Sequence, residues 1–113
     1  MNNRLTRNNR ISKPSEYRAV FKSGKIEKSE HWTVIAKPNA LAMPRLGLAI
    51  SKKVCRLAVN RNRLKRLARE VFRDSKNYLL NCEFVVLSRG HSSASNAALS
   101  SDLNSLLHKF NKA

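Results

Sequence analysis

The chain has 113 residues and sets 23 lysines and arginines against 7 acids, for a formal net charge of +16. That length favours one domain over two separately stable cores, and 42% hydrophobic residues are too many for a purely disordered basic tail. No stretch reaches the roughly 18 apolar residues needed to span a bilayer, and two cysteines, Cys55 and Cys82, can build neither a disulfide framework nor a four-ligand zinc site.

Residues 1–9 are polar, rich in Asn and Arg and without periodicity, and read as a mobile basic arm ahead of a single domain over 10–113. No apolar stretch follows the arm, so it is not a secretory signal. A helix is expected over about 13–23: Pro14 suits its opening turn, Glu16 complements its dipole and Gly24 is placed to end it. Tyr17, Val20 and Phe21 share one face of that helix, at i, i+3 and i+4. Tyr17 and Phe21 stand among Arg18, Lys22 and Lys25, where rings can stack on single-stranded bases. At least one of the two is expected to pack in the core instead.

A short strand is weakly signalled at Lys25–Lys28. Trp32–Ala36 and Leu46–Ile50 read as strands, separated by a loop with two prolines. Glu83–Ser88 is a further strand with a β-branched centre. Between the last two, about 57–74 has the strongest helical pattern. Leu64, Leu67, Ala68, Val71 and Phe72 fall within an arc of roughly 140°, and Arg61, Asn62, Arg63, Lys65, Arg66, Arg69 and Arg73 lie on the other side. A final helix is expected over about 95–110, with Leu99, Leu103, Leu106, Leu107 and Phe110 as its buried stripe. The order of helix, strands, helix, strand and helix is that of an α+β two-layer sandwich.

Charge is concentrated. Residues 52–73 hold nine basic side chains and one acid, Glu70, so the signs do not alternate as on an ordinary solvated helix face. Such excess self-repels, and bound phosphates relieve it, which favours a polyanionic partner. Protein-based catalysis has little to work with. His31, His91 and His108 are widely spaced, the acids are scattered, and three glycines leave no phosphate-cradling loop. No catalytic residue and no metal ligand is assigned, and both cysteines are read as structural.

Three segments in order, RISKPSEYRAVFKSGK, RLGLAISKKV and NRNRLKRLARE, make the chain resemble the protein subunit of bacterial ribonuclease P over roughly residues 10–110. The resemblance implies a cytoplasmic, bacterial ribonucleoprotein that processes tRNA. In it the protein is a non-catalytic accessory subunit, and the RNA subunit with Mg²⁺ hydrolyses the phosphodiester that joins the 5′ leader to tRNA. The implied partners are that catalytic RNA and precursor tRNA, with no membrane and no protein partner required, and no cofactor is assigned to the protein itself. Carried over by position, Lys52, Lys53, Arg61, Asn62, Arg63, Lys65, Arg66 and Arg69 would face the catalytic RNA. Tyr17 and Phe21, with Trp32 and Lys37 on nearby sheet positions, would contact the leader. The resemblance also implies a left-handed β-α-β crossover around the basic helix, the opposite of the general rule. The segment VCRLAVN departs from many members by lacking a glycine, which leaves the start of the basic helix open.

Two other readings share the charge pattern. A structural RNA-binding protein of ribosomal type needs the basic helix but no open aromatic pair. A DNA-binding protein would place the 57–74 helix in a major groove, yet no helix-turn-helix partner or dimerisation heptad accompanies it.

Overall fold

Pro14 sits in the first turn of α1 (Pro14–Ser23), where its missing N–H costs nothing. The Glu16 carboxylate accepts hydrogen bonds from the backbone N–H of Lys13 (3.2 Å) and of Ser12 (3.4 Å), satisfying donors at the helix entrance. The helix stops at Gly24, whose N–H donates to the Val20 carbonyl at 2.8 Å. These features come from a computed structural model that describes residues 9–90 and 93–112.

Four strands follow the expected order: β1 (Lys25–Lys28), β2 (Trp32–Pro38), β3 (Arg45–Leu48) and, after the long helix α2 (Ala58–Ser75), β4 (Cys82–Ser88). They form one mixed sheet in the order β1-β2-β4-β3. β1 and β4 run antiparallel to β2, whereas β3 and β4 are parallel neighbours joined through α2. The last helix, α3 (Asn96–His108), is capped by Ser95, whose hydroxyl accepts from the Ala98 N–H at 3.1 Å.

Alternation along the strands divides the sheet into two faces. On one face Trp32, Val34, Ala36, Leu46, Phe84 and Val86 pack against the apolar stripes of α2 and α3, and this is the main core. Phe84 sits edge-on between Phe72 and Phe110. The other face carries a smaller cluster in which Val20 of α1 and Ile11 cover Ile35 and Val85. Because α1 is only 10 residues long, it covers the middle of that face and leaves the rest open.

Before α1 the chain runs along the outer edge of β3. Arg10 forms a parallel bridge with Leu46, and the Ile11 N–H donates to the Leu46 carbonyl at 2.9 Å. Asn9, expected in the arm, is buried instead: its side-chain amide donates to the Pro44 carbonyl at 3.2 Å. The remainder of the arm, 1–8, lies outside the described residues. Arg45 ties this corner together. Its Nη1 reaches Glu16 (2.9 Å) and Glu83 (2.8 Å), and its Nη2 donates to the Arg10 carbonyl (3.0 Å) and to Glu16 (3.2 Å).

Candidate nucleic-acid interface

α2 buries Leu64, Leu67, Ala68, Val71, Phe72 and Ser75 and turns its cations outward. Lys52 and Lys53 stand exposed on the turn after β3, and Asn62, Arg66 and Arg69 are exposed along the helix, with Lys65 half-buried. The first turn of α2 contains no acidic residue, so its own side chains do not neutralise the positive end of the helix dipole. Two members of the basic set are also committed to the fold. Arg61 Nη1 donates to the carbonyls of Cys55 (3.0 Å) and Arg56 (2.8 Å), holding the turn that enters the helix. Arg63 Nη1 donates to Asn96 Oδ1 (2.7 Å) and to the Ala94 carbonyl (3.3 Å), joining α2 to the start of α3.

The α1 side of the sheet differs in character. Cross-strand partners project from the same face, so the pairings Ile26↔Ile35, Lys28↔Thr33 and Lys37↔Glu83 place Ile26, Lys28, Thr33 and Lys37 with α1. Phe21 is 46% exposed there, near-neighbour to Tyr17 one helical turn away, and Ile26 and the partly buried Leu87 extend the apolar surface. Tyr17 is half-buried. Its hydroxyl donates to the Ile11 carbonyl at 3.4 Å and accepts from the Leu48 N–H at 3.2 Å. Trp32 must be removed from the leader set. It is 0% exposed on the opposite face, in the core under α2 and α3, with Nε1 donating to the Leu99 carbonyl at 2.9 Å. The alternation that puts Lys37 on the α1 side puts Trp32, five residues earlier, on the other.

The two surfaces meet at the edge of β3. A pocket of about 200 Å³ opens there, floored by Ile11, Leu46 and Leu48 and ringed by Arg10, Tyr17, Lys65 and Arg69. α1 supplies the aromatic ring, α2 supplies two cations, and the segment before α1 supplies the third. Three positive groups around a phenol and an apolar floor can hold a phosphate while a neighbouring base or ribose packs on the ring and the leucines. Among the described residues no three His, Cys, Asp or Glu side chains come together as a metal-binding group. Cys55 and Cys82 are both buried free thiols, and burial raises the Cys82 pKa.

A family model described as Ribonuclease P matches residues 5–111. The chain belongs to the ribonuclease P protein family. It is 49% identical over 112 residues to the ribonuclease P protein component of Vesicomyosocius okutanii, covering 99% of this chain and 96% of that one. It is 46% identical over 94 residues to the component of Methylococcus capsulatus, covering 82% and 73% of the two chains. Among solved structures, the Staphylococcus aureus RNase P protein superposes with a TM-score of 0.83 at 27% identity, covering 89% of this chain and 94% of that one. The Thermotoga maritima RNase P protein gives 0.80 at 28%, covering 91% and 98%. The α+β fold with three helices and a four-stranded mixed sheet is thus the fold of this family.

Within that family frame, the basic residues 52, 53, 65, 66 and 69, together with Asn62, present side chains at the surface, and Arg61 and Arg63 serve the fold as well. Arg10 is a pocket residue that the sequence pattern does not flag. It has no periodic partner in the sequence, and only the parallel bridge to Leu46 carries it to the pocket beside Lys65 and Arg69. No helix among the described residues is long and apolar enough to cross a membrane.

Proposed function

We propose that this chain is the protein subunit of a ribonuclease P holoenzyme, binding the catalytic RNA through the exposed cations of α2 and the 5′ leader of precursor tRNA on the α1 side of the sheet. The RNA performs the hydrolysis with its own Mg²⁺. In this reading no chemical step is routed through the protein's side chains. What the chain does is bind and position: Lys52, Lys53, Asn62, Arg66 and Arg69 engage phosphates, Tyr17 and Phe21 offer stacking surfaces, and Lys37 adds charge beside them.

The observation that carries this reading is the pocket at the edge of β3, where Tyr17 from the aromatic surface stands beside Lys65 and Arg69 from the basic one. A leader strand crossing the α1 side would pass a phosphate through that pocket and continue toward RNA held on α2. A purely structural RNA-binding protein would use the basic face but would gain nothing from a half-exposed Phe21 beside it.

The test is reconstitution of the full chain with its cognate catalytic RNA and a precursor tRNA at limiting Mg²⁺. Cleavage at the tRNA 5′ end should rise with added chain and be absent with the chain alone. Cleavage by the chain without RNA, or no effect of the chain across a Mg²⁺ titration, would overturn the proposal.

A further inference from the structure

At the lower end of the sheet, where β3 and β4 begin and α2 ends, a second cleft of about 230 Å³ is lined by Asn9, Met43, Lys76, Asn77, Asn81 and Lys112. That volume is below the roughly 300 Å³ of a cofactor-sized pocket and suits a small planar group. We infer that this cleft is a nucleotide subsite that extends the leader track beyond the pocket at Tyr17; the inference rests on the leader-binding reading given above.

Four observations support it. First, the Asn81 backbone is pinned, its carbonyl accepting from the Asn39 N–H at 3.1 Å, yet its side-chain Oδ1 is buried with no hydrogen-bond partner. Buried polar atoms of native proteins are rarely left so, and a side-chain amide is matched by a partner that offers donor and acceptor side by side, as a base edge does. Second, the walls are held in place before any ligand arrives. Asn9 Nδ2 donates to the Pro44 carbonyl (3.2 Å) and to Met43 Sδ (3.4 Å), and Asn39 Nδ2 donates to the Met43 carbonyl (3.2 Å).

Third, Lys76 and Lys112 stand at the cleft with Met43 beside them, so phosphate-binding ammonium groups and a polarisable apolar surface occupy one site. Fourth, the cleft and the Tyr17 pocket share one edge. The segment that lines the cleft through Asn9 lines the pocket through Arg10, and β3 leads from Pro44 to Leu46 and Leu48. On α2, Lys65 and Arg69 belong to the pocket and Lys76, just past the helix, belongs to the cleft. Eleven residues of helical rise put Lys65 and Lys76 about 16 Å apart. A single strand seated in the first site and running along this edge reaches the second.

Titration of the ¹⁵N-labelled full chain with nucleoside monophosphates tests the site. The side-chain amide signals of Asn81 and the backbone signal of Lys112 should shift saturably, and inorganic phosphate alone should leave the Asn81 amide unmoved. No shift at these residues with any of the four nucleotides, while signals near Lys65 and Arg69 move, overturns the subsite and leaves the leader reading intact. A second measurement tests the track, using precursor tRNAs with leaders of increasing length. For the unmodified chain affinity should climb as the leader lengthens, and in Asn81→Asp and Lys112→Ala the final part of that climb should be lost, a several-fold difference confined to long leaders. Equal losses at every leader length overturn the track. Failure of the unmodified chain to distinguish precursor from mature tRNA would refute the leader reading instead, whatever the nucleotide titration shows.

Discussion

Tyr17 packs its ring directly on Gly47, so closely that a Cβ added to the glycine would lie 2.7 Å from Cε1 of the ring. The glycine is there for space, not for an unusual backbone angle. Its missing side chain lets the ring lie against β3 and lets the phenol hydroxyl reach both Ile11 and the Leu48 N–H. Gly47→Ala is therefore expected to push the ring off the strand. Overpacking of this kind costs about 1–3 kcal/mol, read by denaturant titration, and affinity for precursor tRNA should fall more than affinity for mature tRNA. Tyr17→Phe, which keeps the ring and loses only the hydroxyl, should cost about 1 kcal/mol and spare most of the stacking.

The basic residues separate into two groups by their partners. Arg66 and Arg69 are exposed, and replacing either with Ala should leave the melting temperature unchanged. Each should lower the dependence of log K for the catalytic RNA on log salt, by about 0.7–0.9 for every phosphate the side chain had neutralised. Arg61 and Arg63 also hold backbone and side-chain acceptors of their own chain. Their Ala variants should lose about 1.5–3 kcal/mol of stability, the range for hydrogen bonds to charged groups, in addition to RNA affinity. Thermal unfolding alongside salt-dependent binding distinguishes the groups.

Phe21 and Trp32 provide a contrast between an open ring and a core ring. Phe21→Ala is expected to weaken binding of leader-bearing precursor by about 1–3 kcal/mol, the range for one stacked base, with little change in stability. Trp32→Ala removes a fully buried side chain and should destabilise the fold by about 3–5 kcal/mol, lowering affinity for all RNA ligands together. Equal effects of Phe21→Ala on precursor and mature tRNA would place Phe21 with the core.

Arg45 holds two of the chain's seven acids. Its guanidinium, hydrogen-bonded to Glu16, lowers the Glu16 carboxyl from 4.5 to about 2. A carboxylate depressed on folding contributes stability above its unfolded pKa and loses that contribution as pH falls through the folded value. Stability measured against pH should therefore decline between about 4.5 and 2, and Glu16→Gln should flatten that part of the curve. Arg45→Ala leaves the Glu83 and Glu16 carboxylates near one another without their cation. Because the cluster is only partly buried, the change is expected to cost about 1.5–3 kcal/mol near neutral pH, the range for hydrogen bonds to charged groups.

Much of the fold is legible in periodicity. The stripe of Leu64, Leu67, Ala68, Val71 and Phe72 marks α2 because those residues recur at helical spacing and are the ones buried, and Leu99 to Leu107 mark α3 in the same way. The short β1 is faint because its residues, KIEK, are mostly exposed and carry no apolar alternation. The sites are less legible. Trp32 and Lys37 are expected together as leader contacts only from the family resemblance. Strand alternation sets residues five apart on opposite faces, and the packing of α1, α2 and α3 decides that Trp32 is the one in the core. Arg10 and the corner around Asn81 are hidden for a different reason. They are assembled by pairings between residues some 35 to 42 positions apart, such as Asn9 with Pro44, Arg10 with Leu46 and Asn39 with Asn81, and local sequence carries no record of such pairings.

The strand order has a consequence for how the molecule is made. β4 lies between β2 and β3 in the sheet, yet it is the last strand to be synthesised. Until residues 82–88 have left the ribosome, β1 and β2 can pair as a hairpin, but β3 lacks its strand neighbour and the apolar stripe of α2 lacks the completed sheet on which it docks. The most cationic helix of the chain thus emerges before it has a place to dock, carrying its charge on a segment still free to meet nascent or ribosomal RNA. β4 supplies the strand neighbour for β3 and the sheet on which α2 docks, and α3, made last of all, completes the core around that helix.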